Sequence, residues 1–321
     1  MPAPVMLFTY SRPKHTKRVI EALSRNRLAK HTEVFAYICK PKNEKHIEAV
    51  ADTLEVLRSF EKDPAFKSFT IIEKQTYVPL GPAMVNAVSE VISEYGRVIV
   101  LEDDIVTSND FLDFMNDALD FYENDPNIYT VSGYSFGMRE IKELKADVYS
   151  VHRTCPWGWA TWQDRWKRYI YDLRDEYEIK SLDRSFRRKM LSWSRDLPIT
   201  MDALIYNELS METNWEQQMC YCQFKNNMNT LCPKISKVQN IGFKNGTHDE
   251  PIGLDDYFIQ EGSDYILKHP VIDERFQKKY SMRFIFGLRH KFTHHASEAI
   301  FQLSPKIYRF LARRHFRNKK K

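Results

Sequence analysis

Glycine and proline are scarce in this chain, ten and fourteen of 321 residues, which excludes collagen-like, low-complexity and mostly disordered readings. No stretch approaches the roughly 18 apolar residues that a membrane span needs. The N-terminus has no basic region ahead of an apolar core. Strand-like Val5-Met6-Leu7-Phe8-Thr9 begins almost at once, so no signal peptide is expected. Cysteine is scarce too, with five residues at 39, 155, 220, 222 and 232. An odd number in a long chain without an export signal implies reduced thiols. Cys220-Tyr221-Cys222 with Cys232 lacks the paired spacing of a zinc site, which leaves core packing. The expectation is a cytoplasmic globular protein with length enough to bury a real core.

Acids are nearly missing from one region. Residues 277–321 hold 13 Lys/Arg against the single acid Glu298, a charge of +12 that leaves −7 on the other 276 residues. Apolar residues recur there at helical spacing, at Phe284, Ile285, Leu288 and Phe292, then at Ile307, Phe310 and Leu311. Ser304-Pro305 reads as the N-cap and first residue of the last helix. A basic, aromatic, amphipathic segment suits an anionic lipid surface, while a helix docked on the body is the plainer alternative. Nucleic acid is not the expected partner.

The first half of the chain alternates between two periods. Strands read at Val5–Tyr10, Val34–Ile38, Phe69–Ile72 and Val98–Leu101, with helices near 16–24, 44–60, 83–95 and 111–122 between and after them. Val98-Ile99-Val100-Leu101 has no polar alternation, as expected of a strand buried on both faces of a parallel sheet. Such alternation predicts an open α/β domain with its ligand site at the carboxyl ends of the strands. The second half has short strands near Ile128–Val131 and Val148–Val151, a tryptophan-dense segment, charged helices, a helix near Trp215 and an irregular β region at Leu231–Phe243. The organisation expected is one catalytic unit over 1–275, with halves at 1–132 and 133–275, and a basic tail over 276–321.

Leu101-Glu102-Asp103-Asp104 is the strongest local signal. Three acids after a buried strand repel one another unless a cation neutralises them, and Mg²⁺ or Mn²⁺ bridging to substrate phosphates is the matching partner. Capping of the next helix by Ser108 and Asp110 is the structural alternative. Four of the six tryptophans lie in Cys155-Pro156-Trp157-Gly158-Trp159-Ala160-Thr161-Trp162 and at Trp166. Their indole faces could stack on sugars or fill a core. Trp215-Glu216 opens a helix that reads as amphipathic, and a carboxylate there either satisfies the helix dipole or serves as a general base. Arg12 in Ser11-Arg12-Pro13 offers a bidentate fork for phosphate.

Taken together, Pro4-Val5 through Ser-Arg-Pro, Glu-Asp-Asp, Pro-Trp-Gly-Trp-Ala-Thr-Trp with Arg165-Trp166, Trp215-Glu216 and Gln239-Asn240-Ile241-Gly242-Phe243 ending in Gly-Thr-His resemble a known family. The set looks like bacterial glycosyltransferases of the GT-A fold, which are similar to N-acetylglucosaminyltransferase I and act in surface-polysaccharide synthesis. The likeness runs over about residues 4–250. It implies a GT-A, Rossmann-like, mostly parallel central sheet flanked by helices. It further implies Asp104 as ligand of Mn²⁺ or Mg²⁺ on the donor diphosphate, with Glu102 and Asp103 on the donor sugar and ribose. Arg12 and the Cys39 position would contact the nucleotide, and His248 would lie over the diphosphate. Glu216 takes the place of the catalytic base, with Glu212 as fallback, and Trp157, Gly158, Trp159 and Trp215 would line the substrate site. A UDP-sugar donor, a glycan or lipid-linked acceptor and a place on the inner face of the cytoplasmic membrane follow from the same likeness and the tail.

The chain departs from the family's pattern after the second strand. Cys39-Lys40 stands where Asp-Gly is usual, removing an acceptor for uracil or ribose, and Pro79-Leu80-Gly81-Pro82 replaces the usual Asn-Leu-Gly. Two rivals stay in view. A nucleotidyltransferase would want a glycine-rich basic loop after the first strand, which Thr9-Tyr10-Ser11-Arg12-Pro13 is not. A decayed transferase that only binds glycan or nucleic acid would account for Cys39.

Overall fold

The computed structural model describes residues 1–206, 214–242, 264–269, 274–282 and 296–318. The described residues divide into two units. One holds 1–150, 155–167 and the described part of 230–270, and the other holds 151–154, 168–229 and the described part of 271–321.

The first unit is built on alternating strands and helices. In chain order these are β1 (Val5–Phe8), α1 (Pro13–Ser24), β2 (Glu33–Cys39), α2 (Ile47–Phe60), β3 (Ser68–Lys74), α3 (Leu80–Tyr95), β4 (Arg97–Glu102), β5 (Ile105–Thr107), α4 (Phe111–Phe121), β6 (Ile128–Ser132), α5 (Arg139–Lys142), β7 (Val148–Val151), β8 (Trp159–Trp162) and α6 (Gln163–Trp166). The main sheet runs β3-β2-β1-β4-β8-β6-β9-β7, with β9 at Asn229–Pro233. Its first four strands are parallel, with Val5 facing both Val34 and Ile99, while β8 lies antiparallel to both β4 and β6. All of β1 and the middle of β4 are buried, so their continuous apolar runs are those of central strands covered on both faces. The sheet is therefore mixed α/β, parallel where the sequence alternates and antiparallel where it stops.

The tryptophan run is a strand, which its composition had not disclosed. Side chains alternate across a strand, so neighbours point to opposite faces. Trp162 donates its indole N–H to the Leu119 carbonyl of α4 (3.0 Å) and carries the Arg165 guanidinium over its ring. Trp159 packs against Trp166, which donates to Ser89 Oγ of α3 (2.8 Å). At 1% exposure Trp159 is a core residue, so the expected substrate contact is corrected to packing.

The second unit is helical: α7 (Arg174–Lys180), α8 (Arg184–Trp193), α9 (Leu197–Ile205), α10 (Trp215–Asn226), α11 (Glu274–Met282), α12 (296–303) and α13 (Pro305–Asn318). Tyr177, Met190, Met201, Leu204, Tyr221 and Phe301 form its core. Within it Arg187 is 1% exposed and bonds Asp202 (2.9 Å), Glu298 (3.0 Å) and the Tyr308 hydroxyl (3.1 Å). Asp202 also accepts from Tyr177 (2.9 Å) and Tyr308 (2.5 Å), so both ions of the buried pair are satisfied. Ser304 Oγ accepts from the Ile307 N–H (3.4 Å) and Pro305 opens α13, as the cap pair predicts. The tail helices thus dock on their own unit. α10 is buried nearly all round rather than amphipathic, its inward Gln218 and Gln223 accepting from the Asp172 N–H and the Thr154 hydroxyl.

Candidate functional site

Because β1 and β4 are parallel with Phe8 facing Glu102, the residues that follow each strand leave the sheet at the same edge. Tyr10 donates its backbone N–H to Asp103 Oδ2 (3.3 Å). Arg12 stands at the N-cap position of α1, where Pro13 suits the first turn, and its side chain does not cap the helix. It reaches Asp104 Oδ2 at 2.8 Å and Asp103 Oδ1 at 3.7 Å. Three of the expected residues are brought together here, with Glu102 at the end of β4 beside them.

Asp103 is buried, and its carboxyl is pushed up to about 7. Burial is the largest cause and the Asp104 charge the next, opposed by Arg12 and the Tyr10 N–H. Only one fixed cation among the described contacts, Arg12, offsets the two neighbouring acids. Asp104 offers hard oxygen ligands suited to Mg²⁺ or Mn²⁺. Among the described residues no group of three or more His, Cys, Asp or Glu could hold a metal. An ion would fit here with substrate phosphate oxygens completing its shell, sharing Asp104 with Arg12.

The acidic edge is shaped by a second, two-stranded sheet of β5 and β10 (Val238–Asn240), in which Asn240 faces Ile105. Ile241 donates its N–H to the Asp104 carbonyl (2.9 Å), which sets the next residue, Gly242, against the Asp104 side chain. A Cβ on Gly242 would stand 2.1 Å from Asp104 Oδ2. Below the acids, Gly133 donates its N–H to the Gly158 carbonyl (2.6 Å). Gly158 has φ +60°, and a Cβ there would stand 2.9 Å from Val238 and 3.3 Å from Leu101. This expected substrate contact is buried, and its lack of a side chain lets β10 close on β4.

Ser108 and Asp110 do not cap α4 as the plainer reading supposed. Asp110 holds the N-cap position, yet its carboxylate takes the Ser108 hydroxyl (2.6 Å) and the buried Lys237 ammonium (2.5 Å). Lys237 thereby ties the segment leading into β10 to α4.

At the ends of β1 to β3 lies a group of polar and aromatic side chains. The Tyr10 hydroxyl accepts from the Lys42 N–H (2.7 Å) and bonds His46 Nδ1 (3.0 Å), and Tyr77 packs on the Tyr10 ring. Cys39 is buried, its thiol pushed up by burial and donating to the Val78 carbonyl (3.7 Å). Lys40 pairs with Glu73 (2.7 Å). Trp157 is half-buried, edge-on to Tyr134 at 4.5 Å between rings.

Glu216 and Trp215 belong to the second unit. Trp215 is buried, and its carbonyl accepts from the Tyr169 hydroxyl (3.2 Å). Glu216 is half-buried at the first turn of α10. Burial raises the Tyr169 hydroxyl, and the charges of Cys222 and Glu216 add to that rise. Glu212 and His248 lie outside the described residues. Residue-by-residue reading passed over Tyr10, Lys237 and the steric role of Gly242. Only Tyr10 carried a signal, its place at the end of a central strand.

No protein-family model matches the sequence, and no curated protein matches it. Solved structures to which the chain is similar include a mannosyltransferase, PcManGT from Pyrobaculum calidifontis in complex with GDP-Man and Mn²⁺. That match has 13% identity over 60% of this chain and 55% of that one, with a TM-score of 0.39. S. aureus TarS 1–349 matches at 10% identity over 73% of this chain and 59% of that one (TM-score 0.41). The TarS complex with UDP-GlcNAc matches at 14% over 55% and 47% (TM-score 0.36). The chain spans less than two thirds of the length of each, and no residue role here rests on them.

Proposed function

We propose that the chain is an inverting, metal-dependent glycosyltransferase, of hexosyl or N-acetylhexosaminyl type, that uses a nucleotide-sugar donor. Its acceptor would be a glycan or glycolipid of bacterial surface-polysaccharide synthesis, carried at the inner face of the cytoplasmic membrane where the basic tail would lie. The observation that carries this reading is the Asp103–Asp104 pair at the carboxyl edge of parallel strands, bonded to Arg12 and closed by Gly242. A buried and a half-buried acid at that edge, sharing one guanidinium, suit a ligand that brings both phosphates and a cation.

In this reading Asp104 holds the divalent ion, which would stabilise negative charge on the diphosphate. Arg12, bonded to the same carboxylate, adds a fixed positive charge for the departing phosphate oxygens. Asp103, held by the Tyr10 N–H, supports the pocket wall next to the sugar. Glu216 takes the proton of the acceptor hydroxyl. The hydroxyl oxygen then bonds to the anomeric carbon as the bond from that carbon to phosphate breaks, its electron pair leaving on the diphosphate. A single in-line displacement turns an α-linked donor into a β-linked product.

Thermal shift with a panel of nucleotide diphosphate sugars, with and without Mn²⁺, tests the reading. A ligand bound only by the native state stabilises it by roughly 2.7 kcal/mol at a hundredfold excess over Kd. One donor should shift the wild type only with metal, and Asp104→Ala should abolish the shift. No shift with any donor refutes the transferase and favours a chain that binds without catalysis.

A further inference from the structure

Exposed apolar bulk is concentrated on one part of the second unit. Ten large hydrophobic side chains are exposed among the described residues, and five of them, Ile179, Leu303, Ile307, Phe310 and Leu311, lie on α7, α12 and α13. Three of the five, Ile307, Phe310 and Leu311, stand on α13, which has no acid at all.

α13 has two unlike faces. Tyr308 and Ala312, one turn apart, are buried, and Tyr308 reaches the Arg187–Asp202 network. Ile307, Phe310, Leu311 and Arg314 follow the three-, four- and seven-residue spacing of one helical face, and all four are exposed. Pro305–Asn318 contains no acid. Arg309 donates to Ser181 Oγ (2.9 Å) and Arg313 pairs with Glu178 (2.6 Å), which ties α13 to the end of α7 where Ile179 stands 80% exposed. Arg184 donates to the Leu303 carbonyl (3.0 Å), joining α12 to α8. Of the acids on these helices, Glu178 and Glu298 pair with arginine, Glu176 pairs with Lys180 and Lys225, and Asp175 is exposed in the first turn of α7. Lys306 and Arg314 are exposed cations beside the apolar side chains of acid-free α13.

We propose that α7, α12 and α13 form one preassembled face that docks on an anionic lipid surface, with Ile179, Leu303, Ile307 and Phe310 entering the acyl boundary. The inference rests on the reading that the acceptor is membrane-borne, and it assigns the contact to a clamped three-helix face rather than to a free tail. Charge complementarity selects the partner. The exposed cations match lipid phosphates, while a second copy of the chain would bring the same cations against them. Among the described residues no helix is long and apolar enough to cross a membrane, so contact through this face would be peripheral.

Flotation of the full chain with phosphatidylcholine vesicles, with and without phosphatidylglycerol, is the test. The chain should float with the anionic vesicles and stay in solution with the neutral ones. Ile307→Glu with Phe310→Glu should weaken binding at least about tenfold, because two apolar side chains no longer leave water. Ile179→Glu, on a separate helix, should weaken it several-fold, and all these sites are exposed, so melting should not change. Unchanged binding in the double variant overturns the proposal. So does an unaffected Ile179→Glu, which would return the contact to the tail alone. A dimer that the double variant dissociates, with no vesicle binding by the wild type, overturns it in favour of a second copy. No donor sugar enters the assay, so failure here is separate from failure of the transferase reading.

Discussion

Gly242→Ala separates the acidic site from the stability of the fold. The new Cβ would stand 2.1 Å from Asp104 Oδ2 and 2.9 Å from its Cγ, with Asn240 Oδ1 at 3.1 Å. The backbone does not yield easily, because Ile241 is tied to the Asp104 carbonyl at 2.9 Å and the Gly242 N–H to Asn240 Oδ1 at 2.7 Å. The carboxylate must therefore rotate away, and its 2.8 Å bond to Arg12 is lost. Arg12 is partly exposed and water re-solvates it, so the loss costs no more than about 1 kcal/mol. Alanine in a glycine position of ordinary φ recovers about 0.4–1 kcal/mol by narrowing the unfolded ensemble. The net effect on melting should be near zero, within about 3 °C either way. Ligation through Asp104 has no such compensation, and donor affinity should fall at least about tenfold. A thermal-shift assay reads both quantities on one sample, the melting temperature alone and its rise with donor and Mn²⁺. The double variant Asp104→Ala with Gly242→Ala should be no less stable than Asp104→Ala, since the clash partner is gone. A Gly242→Ala protein that keeps its full donor-dependent rise refutes the steric argument. One that unfolds outright makes Gly242 a residue of the fold and not of the site.

Three further outcomes follow from the same contacts. Asp103 is raised from 3.8 to about 7, so the folded state binds its proton more tightly than the unfolded state, and stability falls as pH rises from about 4 through about 7. Asp103→Asn should remove up to about 4 kcal/mol of that slope, read as flatter melting temperatures between acid and mildly alkaline buffers. Lys237→Met strands the Asp110 carboxylate in the interior and should cost about 3–5 kcal/mol in urea unfolding, most of it recovered by adding Asp110→Leu. Trp159→Ala should cost about 3–5 kcal/mol as a core cavity, whereas Trp157→Ala, at a half-buried position, should cost much less; equal losses would contradict the assignment of only one of them to the core.

Much of the first unit was legible from spacing. The apolar runs of β1 and β4, the helical periods of α2 to α4 and the three acids at the end of β4 are local features, set by near neighbours and by which faces must leave water. The helix expected from Glu44 opens instead with a 3₁₀ turn over Glu44–His46 before α2 begins at Ile47. Its buried face is Val50, Thr53, Leu57 and Phe60, with the expected Ile47 exposed and Leu54 only partly buried. β8 was not legible, because Trp-Ala-Thr-Trp alternates neither bulk nor polarity, and only pairing with β4 and β6 makes it a strand. α10 was misjudged for a related reason: its buried glutamines find partners at Asp172 and Thr154, which no helical period reveals.

What local chemistry could decide, the order of residues decided: alternating elements, three acids at the end of β4, a capped basic helix at the end of the chain. Tertiary packing alone decided which charges meet. Lys237 is 127 positions from Asp110, Arg187 is 111 from Glu298, and Gly242 lies against a carboxylate that no nearby residue announces. The reason is energetic. A charge or a missing side chain has a meaning only against what is buried beside it, and burial brings together segments whose separation along the chain carries no trace of the contact.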